Sequence, residues 1–138
     1  MSRMFRTLRT LLMFAPAVGL FAQNEPAPVT LAALRYIDTV AGTGAPAESG
    51  KRFTVHYTGW LKDGTKFDSS VDRKEPFVFV QGRRQVIAGW DLGFEGMKVG
   101  GRRWLVIPGN LAYGSQAPSP KIPANATLVF DIQLVGVK

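Results

Sequence analysis

One carboxylate lies among aromatic residues in a sequence that offers few other groups for catalysis. Asp68 follows Phe67 directly after the turn signal Asp63-Gly64. The 138 residues include no cysteine and a single histidine, His56. Thiolate zinc sites, paired-histidine metal sites and cysteine nucleophiles are therefore excluded, and any Ser-His-Asp triad would have to use His56.

His56 lies in a segment of alternating polar and apolar residues. It is out of phase with the apolar residues Phe53, Val55 and Tyr57, so it faces away from the side that a half-buried strand turns to the core. The pattern favours a structural or surface histidine over a general base.

Composition and charge indicate one folded domain. Hydrophobic residues make up 46% and charged residues 20% of the chain, which excludes a disordered tail. Residues 23–138 hold 14 basic and 10 acidic residues, a moderate net charge of +4. Two arginine pairs are too short for a nucleic-acid stripe, and we expect both to lie on a solvated face: Arg83-Arg84 and Arg102-Arg103.

The first 22 residues have the order of a secretory signal peptide. Three arginines within nine residues precede an apolar run over 11–22, shorter than the ~20 residues of a spanning helix. We expect cleavage after Ala22, an extended tether over 23–33 and the folded domain over 34–138. An uncleaved anchor and a buried amphipathic segment are the alternatives. Export without cysteine suits the periplasm or cell envelope of a bacterium.

The rest of the chain predicts strands around one short helix. Ile87, Trp90, Phe94 and Met97 recur at the spacing of one helix face, and the glycines between them keep the helix short. Alternation and β-branched residues predict strands over 34–40, 53–58, 77–80, 103–107 and 128–134. The class is α+β, with an antiparallel sheet folded over one helix.

Five ordered sequence blocks resemble the signatures of FKBP-type peptidyl-prolyl cis-trans isomerases. They are Val-His-Tyr-Thr-Gly at 55–59, Asp-Gly-Thr-Lys-Phe-Asp-Ser-Ser at 63–70, Val-Ile-Ala-Gly-Trp at 86–90, Leu-Ala-Tyr-Gly at 111–114 and Ile-Pro-Ala-Asn-Ala-Thr-Leu-Val-Phe-Asp at 122–131. The resemblance runs from about residue 34 to the C-terminus. It implies a five- to six-stranded antiparallel β-sheet wrapped around one short α-helix, with a shallow apolar pocket for a prolyl ring.

The resemblance also implies a role for each matching residue. Trp90 would form the pocket floor, and Asp68, Tyr113 and Tyr57 would be the catalytic residues, with Asp68 at the rim beside Tyr57 and the Tyr113 hydroxyl at the mouth. The Ile87 backbone amide would hold the bound peptide. The other substrate-binding residues would be Phe67, Phe77, Val86, Ile87, Ile122 and Phe130.

The implied activity is rotation of Xaa-Pro bonds in exported proteins, with proline-containing polypeptides as clients. No bond to proline is made or cut, so the reaction needs no nucleophile, metal or cofactor. The sequence departs from the family pattern in the loop after Gly114, where Pro118 and Lys121 replace residues that overhang the pocket in the family. We therefore expect weakened binding of macrolide inhibitors. A monomer without a stable membrane anchor and without nucleic acid is also expected.

Two other functions remain as alternatives. A non-catalytic peptide-binding or chaperone module would keep the pocket, and an assay on prolyl peptides separates it from an isomerase. A basic β-barrel for single-stranded nucleic acid would need exposed aromatics beside cations. Trp104, next to Arg102 and Arg103, is predicted to face outward and is the one residue that suits this alternative.

Overall fold

The computed structural model describes residues 33–138, and in this range six strands form one antiparallel sheet. The predicted signal peptide (1–22) and nearly all of the predicted tether (23–33) lie outside the described residues. The strands are β1 (Arg35–Val40), β2 (Arg52–Leu61), β3 (Lys66–Ser69), β4 (Phe77–Val80), β5 (Arg102–Ile107) and β6 (Leu128–Val137).

Strands β2 and β6 form the centre of the sheet. The order is β1-β5-β6-β2-β3, and β4 pairs with the first half of β2. Alternation decides which side of each strand is buried: Tyr57 opposes Ile132 and Gly59 opposes Phe130 on the inner face. The predicted antiparallel sheet is confirmed, and the strands over 52–61 and 128–137 are longer than the alternating segments suggested.

The predicted helix is present as α2 (Ala88–Gly93), which follows the single-turn α1 (Ser70–Arg73). A Cβ on Gly89 or Gly93 would lie 2.4 Å from Ile107 Cγ2 or 2.6 Å from Leu105 Cδ1, so glycine lets α2 press onto β5. The helix ends before Met97 because the chain turns at Gly96 with φ of 80°. Among residues 33–138, no helix has the length and apolar character needed to cross a membrane.

The sequence did not predict β3 or α1. Each has four residues, too few to show a period. The Ser69 hydroxyl accepts a hydrogen bond from the Asp72 backbone N–H at 3.2 Å and caps α1, and Lys74 ends it in the left-handed region at φ of 55°.

Arg103 corrects the prediction that both arginine pairs are solvated. Its side chain is only 3% exposed and points to the inner face. The guanidinium donates to the Asp38 carboxylate, to the carbonyl of Gly93 at the end of α2 and to that of Glu95 two residues later. The alternation of β5 places residue 103 inward and Arg102 outward, and this phase outweighs the usual preference of arginine for solvent.

Candidate active site

An apolar cavity of about 240 Å³ lies where α2 meets the central strands. This volume is below the ~300–1,000 Å³ of pockets for drug-sized ligands, and a single small ring fits it. All the predicted site residues except Ile122 reach its lining, which also includes Gln85. The lining residues are Tyr57, Phe67, Asp68, Phe77, Gln85, Val86, Ile87, Trp90, Tyr113 and Phe130.

Trp90 is buried at the base of the cavity by the edges of neighbouring rings. Its ring centroid lies 4.9 Å from that of Tyr57, 5.9 Å from Phe77 and 5.3 Å from Phe130, with interplanar angles of 80–85°. Edge-to-face contacts of this kind favour one arrangement of the rings. The indole Nε1 is buried and has no acceptor among the described residues. Packing therefore fixes this indole.

Glycine at position 59 allows the cavity wall to close. A Cβ there would lie 2.5 Å from Cζ of Phe67 and 2.8 Å from Cε1 of Phe130. These two rings meet edge to face, with centroids 5.6 Å apart. Strand β2 thus places Tyr57 in the cavity lining, and two residues later Gly59 leaves room for the rings of Phe67 and Phe130.

A polar cluster forms one side of the rim. The Tyr57 hydroxyl donates to Oδ2 of Asp68, and Nη1 of Arg73 pairs with Oδ1 of the same carboxylate. Nη2 of Arg73 also donates to the Tyr57 hydroxyl at 3.2 Å. Asp68 is thereby held with both oxygens engaged beside an aromatic cavity. Arg73 was missed from the sequence because its partners are brought together by the β2–β3 hairpin and α1.

Partial desolvation raises the pKa of both rim tyrosines. Desolvation raises the pKa of Tyr57 above its ordinary 10.0, and the hydrogen bond to Asp68 raises it further. Desolvation and the Asp68 charge also raise the pKa of Tyr113. Both shifts favour the neutral hydroxyl, the form that can donate a hydrogen bond. Among residues 33–138 no group of three or more His, Cys, Asp or Glu side chains could hold a metal ion.

The remaining predicted residues divide into two groups. Ile87 immediately precedes α2, and none of the hydrogen bonds within residues 33–138 uses its backbone N–H, which leaves it available to a peptide. Ile122 is instead buried in the core, and Pro118 and Lys121 are exposed outside the cavity lining. The structure thus does not bring these three residues to the cavity.

Residues 44–135 match the family model described as FKBP-type peptidyl-prolyl cis-trans isomerase. The chain belongs to this family. This FKBP domain is 52% identical over 100 residues to an "FK506-binding protein" of Neisseria meningitidis serogroup A, covering 72% of this chain and 92% of that protein. It is 43% identical over 127 residues to "FK506-binding protein 2" of Dictyostelium discoideum, covering 92% and 94%.

The fold of this FKBP domain has a match among solved structures. It superposes on the chain titled "Crystal structure of AtFKBP13" with a TM-score of 0.71 and 38% identity, over 80% of this chain and 97% of that one. The chain is accordingly a peptidyl-prolyl cis-trans isomerase of a family that binds proline-containing peptides and FK506-type ligands.

Removal of the Asp68 side chain is expected to slow this FKBP without abolishing activity. Asp68→Leu should lower kcat/KM on an Xaa-Pro peptide about 5- to 30-fold, the equivalent of ~1–2 kcal/mol, because the carboxylate only orients groups and forms no covalent intermediate. Tyr113→Phe should cost a similar factor. Complete loss in a folded Asp68→Leu variant would instead indicate acid–base chemistry.

Arg73 is expected to act through the carboxylate that it positions. Arg73→Gln should lower kcat/KM severalfold in the wild-type background and have little effect in the Asp68→Leu background, since the two changes remove one network. Equal effects in both backgrounds would show that Arg73 contributes independently of Asp68.

Tyr57 is expected to titrate above pH 10. The difference between ultraviolet titrations of the wild type and Tyr57→Phe should give its pKa, which burial and Asp68 raise above 10.0. Because the folded-state pKa is the higher one, the stability gained from the neutral hydroxyl is fully present below the unfolded pKa. It is lost as pH rises through the folded pKa. A midpoint at or below 10 would contradict the burial argument.

Proposed function

We propose that this FKBP-type isomerase accelerates Xaa-Pro rotation in exported polypeptides, with the prolyl ring on the Trp90 indole. The observation that carries the proposal is an aromatic cavity whose rim presents one carboxylate with both oxygens engaged and two tyrosine hydroxyls with raised pKa values. Proline isomerisation limits the folding of many chains, so an exported isomerase has a clear use.

The mechanism follows from the electronic structure of the amide. Rotation crosses a barrier of ~18–20 kcal/mol because the planar bond loses resonance. The twisted amide is less dipolar than the planar one, so an apolar cavity disfavours the ground state relative to the transition state. The Tyr113 hydroxyl at the exposed mouth is suited to donate a hydrogen bond to the carbonyl that precedes proline while the Xaa-Pro bond rotates. The free Ile87 N–H is suited to bind the backbone of the substrate peptide.

A protease-free isomerisation assay on a series of short Xaa-Pro peptides tests the activity. Acceleration that is lost on adding an FK506-type ligand is the expected result. Peptide binding without acceleration would instead identify a non-catalytic binding module. Neither outcome depends on where the protein resides.

We also propose that the mature protein begins at Gln23 and works as a monomer in a bacterial envelope. The basic, apolar and small-residue order of residues 1–22 supports export. Mass spectrometry of the protein recovered from the envelope should give a chain that starts at Gln23. A protein recovered from the envelope that retains Met1 would overturn the proposed cleavage and favour the uncleaved anchor.

The loop with Pro118 and Lys121 is proposed to weaken macrolide binding through its stiffness and charge. An exposed ion pair contributes only ~0.2–1 kcal/mol, so any preference of Lys121 for acidic residues before proline should be a few-fold and weaken with salt. Lys121→Ile should raise the Leu-Pro to Glu-Pro rate ratio at low salt. An unchanged ratio would show that the loop does not reach the substrate.

A further inference from the structure

A cationic cleft lies at the end of the sheet where β2, β4 and β6 meet. It is lined by Gly50, Arg52, Val80, Arg83 and Lys138, and no acidic side chain is among these residues. All three cations are exposed. The ion pairs between side chains of residues 33–138 involve other cations, namely Lys66, Arg73, Arg102 and Arg103. Arg52, Arg83 and Lys138 therefore form no ion pair with a carboxylate side chain of residues 33–138.

Backbone pairing places two of the cation-bearing residues, Arg52 and Lys138, next to each other. Arg52 opposes Val80 across the β2–β4 ladder. The Arg52 N–H donates to the Lys138 carbonyl at 2.8 Å, and the Lys138 N–H donates back to the Arg52 carbonyl at 3.0 Å. Arg52 and Lys138 therefore start from adjacent, paired backbone positions.

The turn that carries Arg83 is equally constrained. Asp91 of α2 accepts hydrogen bonds from the backbone N–H groups of Gly82 at 2.8 Å and Arg84 at 3.2 Å. The Gln81 amide accepts from the Gly50 N–H at 3.0 Å and donates to the Asp91 carbonyl at 2.7 Å. The turns on both sides of the cleft are thus held together, and a ligand would not have to order them.

One hydrogen bond connects this cleft with the prolyl cavity. The backbone N–H of Val80, which lines the cleft, donates to Oε1 of Gln85, which lines the cavity, at 2.9 Å. Tyr57, which lines the cavity, and Arg52, which lines the cleft, are five positions apart on β2. At ~3.3 Å per residue this is roughly 16 Å, so an extended peptide with its proline on Trp90 would need about five residues to reach the cleft.

We infer that the cleft of Arg52, Arg83 and Lys138 is a second substrate subsite, which takes acidic side chains of the polypeptide a few residues from the bound proline. The inference rests on the proposed function, because the neighbouring cavity brings the polypeptide there. Single-stranded nucleic acid fits less well, since it needs aromatic side chains for base stacking and the cleft has none.

The test compares peptides that share one Xaa-Pro core. The core alone, the core with three added glutamates and the core with three added glutamines are assayed at low salt, with the extension placed at either end in turn. For wild-type protein, one glutamate-extended peptide should have a kcat/KM about three- to tenfold above its glutamine counterpart, as expected for two or three exposed ion pairs. The advantage should disappear at 0.5 M salt, where the screening length is about 4 Å.

Two triple variants of equal charge decide whether the cleft is responsible. Arg52→Gln/Arg83→Gln/Lys138→Gln should bring the glutamate-to-glutamine ratio close to one and leave the rate on the core peptide unchanged. The control Arg35→Gln/Lys62→Gln/Lys98→Gln removes three exposed cations that line neither site, and it should keep the wild-type ratio.

The failure of each proposal has its own signature. No acceleration of the core peptide would overturn the proposed function itself. A normal core rate with a ratio of one in the wild type, or an equal loss in both triple variants, would overturn the subsite. If a single-stranded oligonucleotide bound the cleft more tightly than the glutamate peptide, the cleft would be a nucleic-acid site and the assignment to acidic polypeptide would be wrong.

Discussion

Trp90→Leu is expected to lower kcat/KM on Xaa-Pro peptides about 30- to 150-fold. The indole is the floor on which the prolyl ring would rest, and loss of that apolar contact corresponds to ~2–3 kcal/mol. Leucine keeps an apolar side chain but cannot reproduce the ring contacts with Tyr57, Phe77 and Phe130. The assay should be run at a temperature where circular dichroism shows the variant to be folded.

Trp104→Leu is the matched control for that substitution. Trp104 is 37% exposed and stacks on Trp60 with centroids 5.2 Å apart, outside the lining of the cavity. Its loss should change kcat/KM less than twofold. The ligand-sensitive part of the tryptophan fluorescence should disappear in Trp90→Leu and persist in Trp104→Leu. The reverse pattern would place the binding site on the other face of the sheet.

The sequence predicted the fold best where an element is long enough to show a repeating pattern of apolar residues. Strands β2 and β6 have ten residues each, and their alternation predicted the inner face on which Tyr57 and Phe130 lie. The spacing of Ile87, Trp90 and Phe94 predicted a helix in the right place, although α2 ends at Gly93. The end of α2 depends on the left-handed turn at Gly96 and on the hydrogen bonds that Arg103 donates to carbonyls at and beyond Gly93. Periodicity cannot predict either feature.

The site was predictable only as far as motifs identify residues. The family blocks indicated Asp68, Tyr57 and the cavity walls, and the structure brings these together. Arg73 and Gln85 have no such signal, because their places depend on the chain path. Arg73 reaches Tyr57 across 16 positions of sequence. Gln85 reaches the rim through a turn in which Arg84 adopts a positive φ of 57°, a conformation rare outside glycine.

Arg103 is a further residue whose structural role the sequence did not predict. Its removal is expected to have the largest effect on the free energy of unfolding. Arg103→Met should lower the free energy of unfolding by about 3 kcal/mol. The substitution leaves the buried carbonyl of Gly93 and the part-buried carbonyl of Glu95 without their donor, and a buried unsatisfied group costs ~1–3 kcal/mol. It also breaks the pair with Asp38 and the contact of the guanidinium with the Tyr36 ring, 4.0 Å away.

Urea unfolding measures this effect, with Lys66→Met as the control. Lys66 and its partner Asp72 are 50% and 57% exposed, so breaking their ion pair should cost at most ~1 kcal/mol. Arg103→Lys should recover less than half of the loss, because an ammonium group cannot serve the carboxylate and both carbonyls in the geometry of the guanidinium. The slope of the unfolding free energy with urea should remain unchanged if only stability is altered. If Arg103→Met unfolds within ~1 kcal/mol of the wild type, the link from β1 through Arg103 to the end of α2 does not stabilise the fold, and packing of Gly89 and Gly93 on β5 must hold the helix alone.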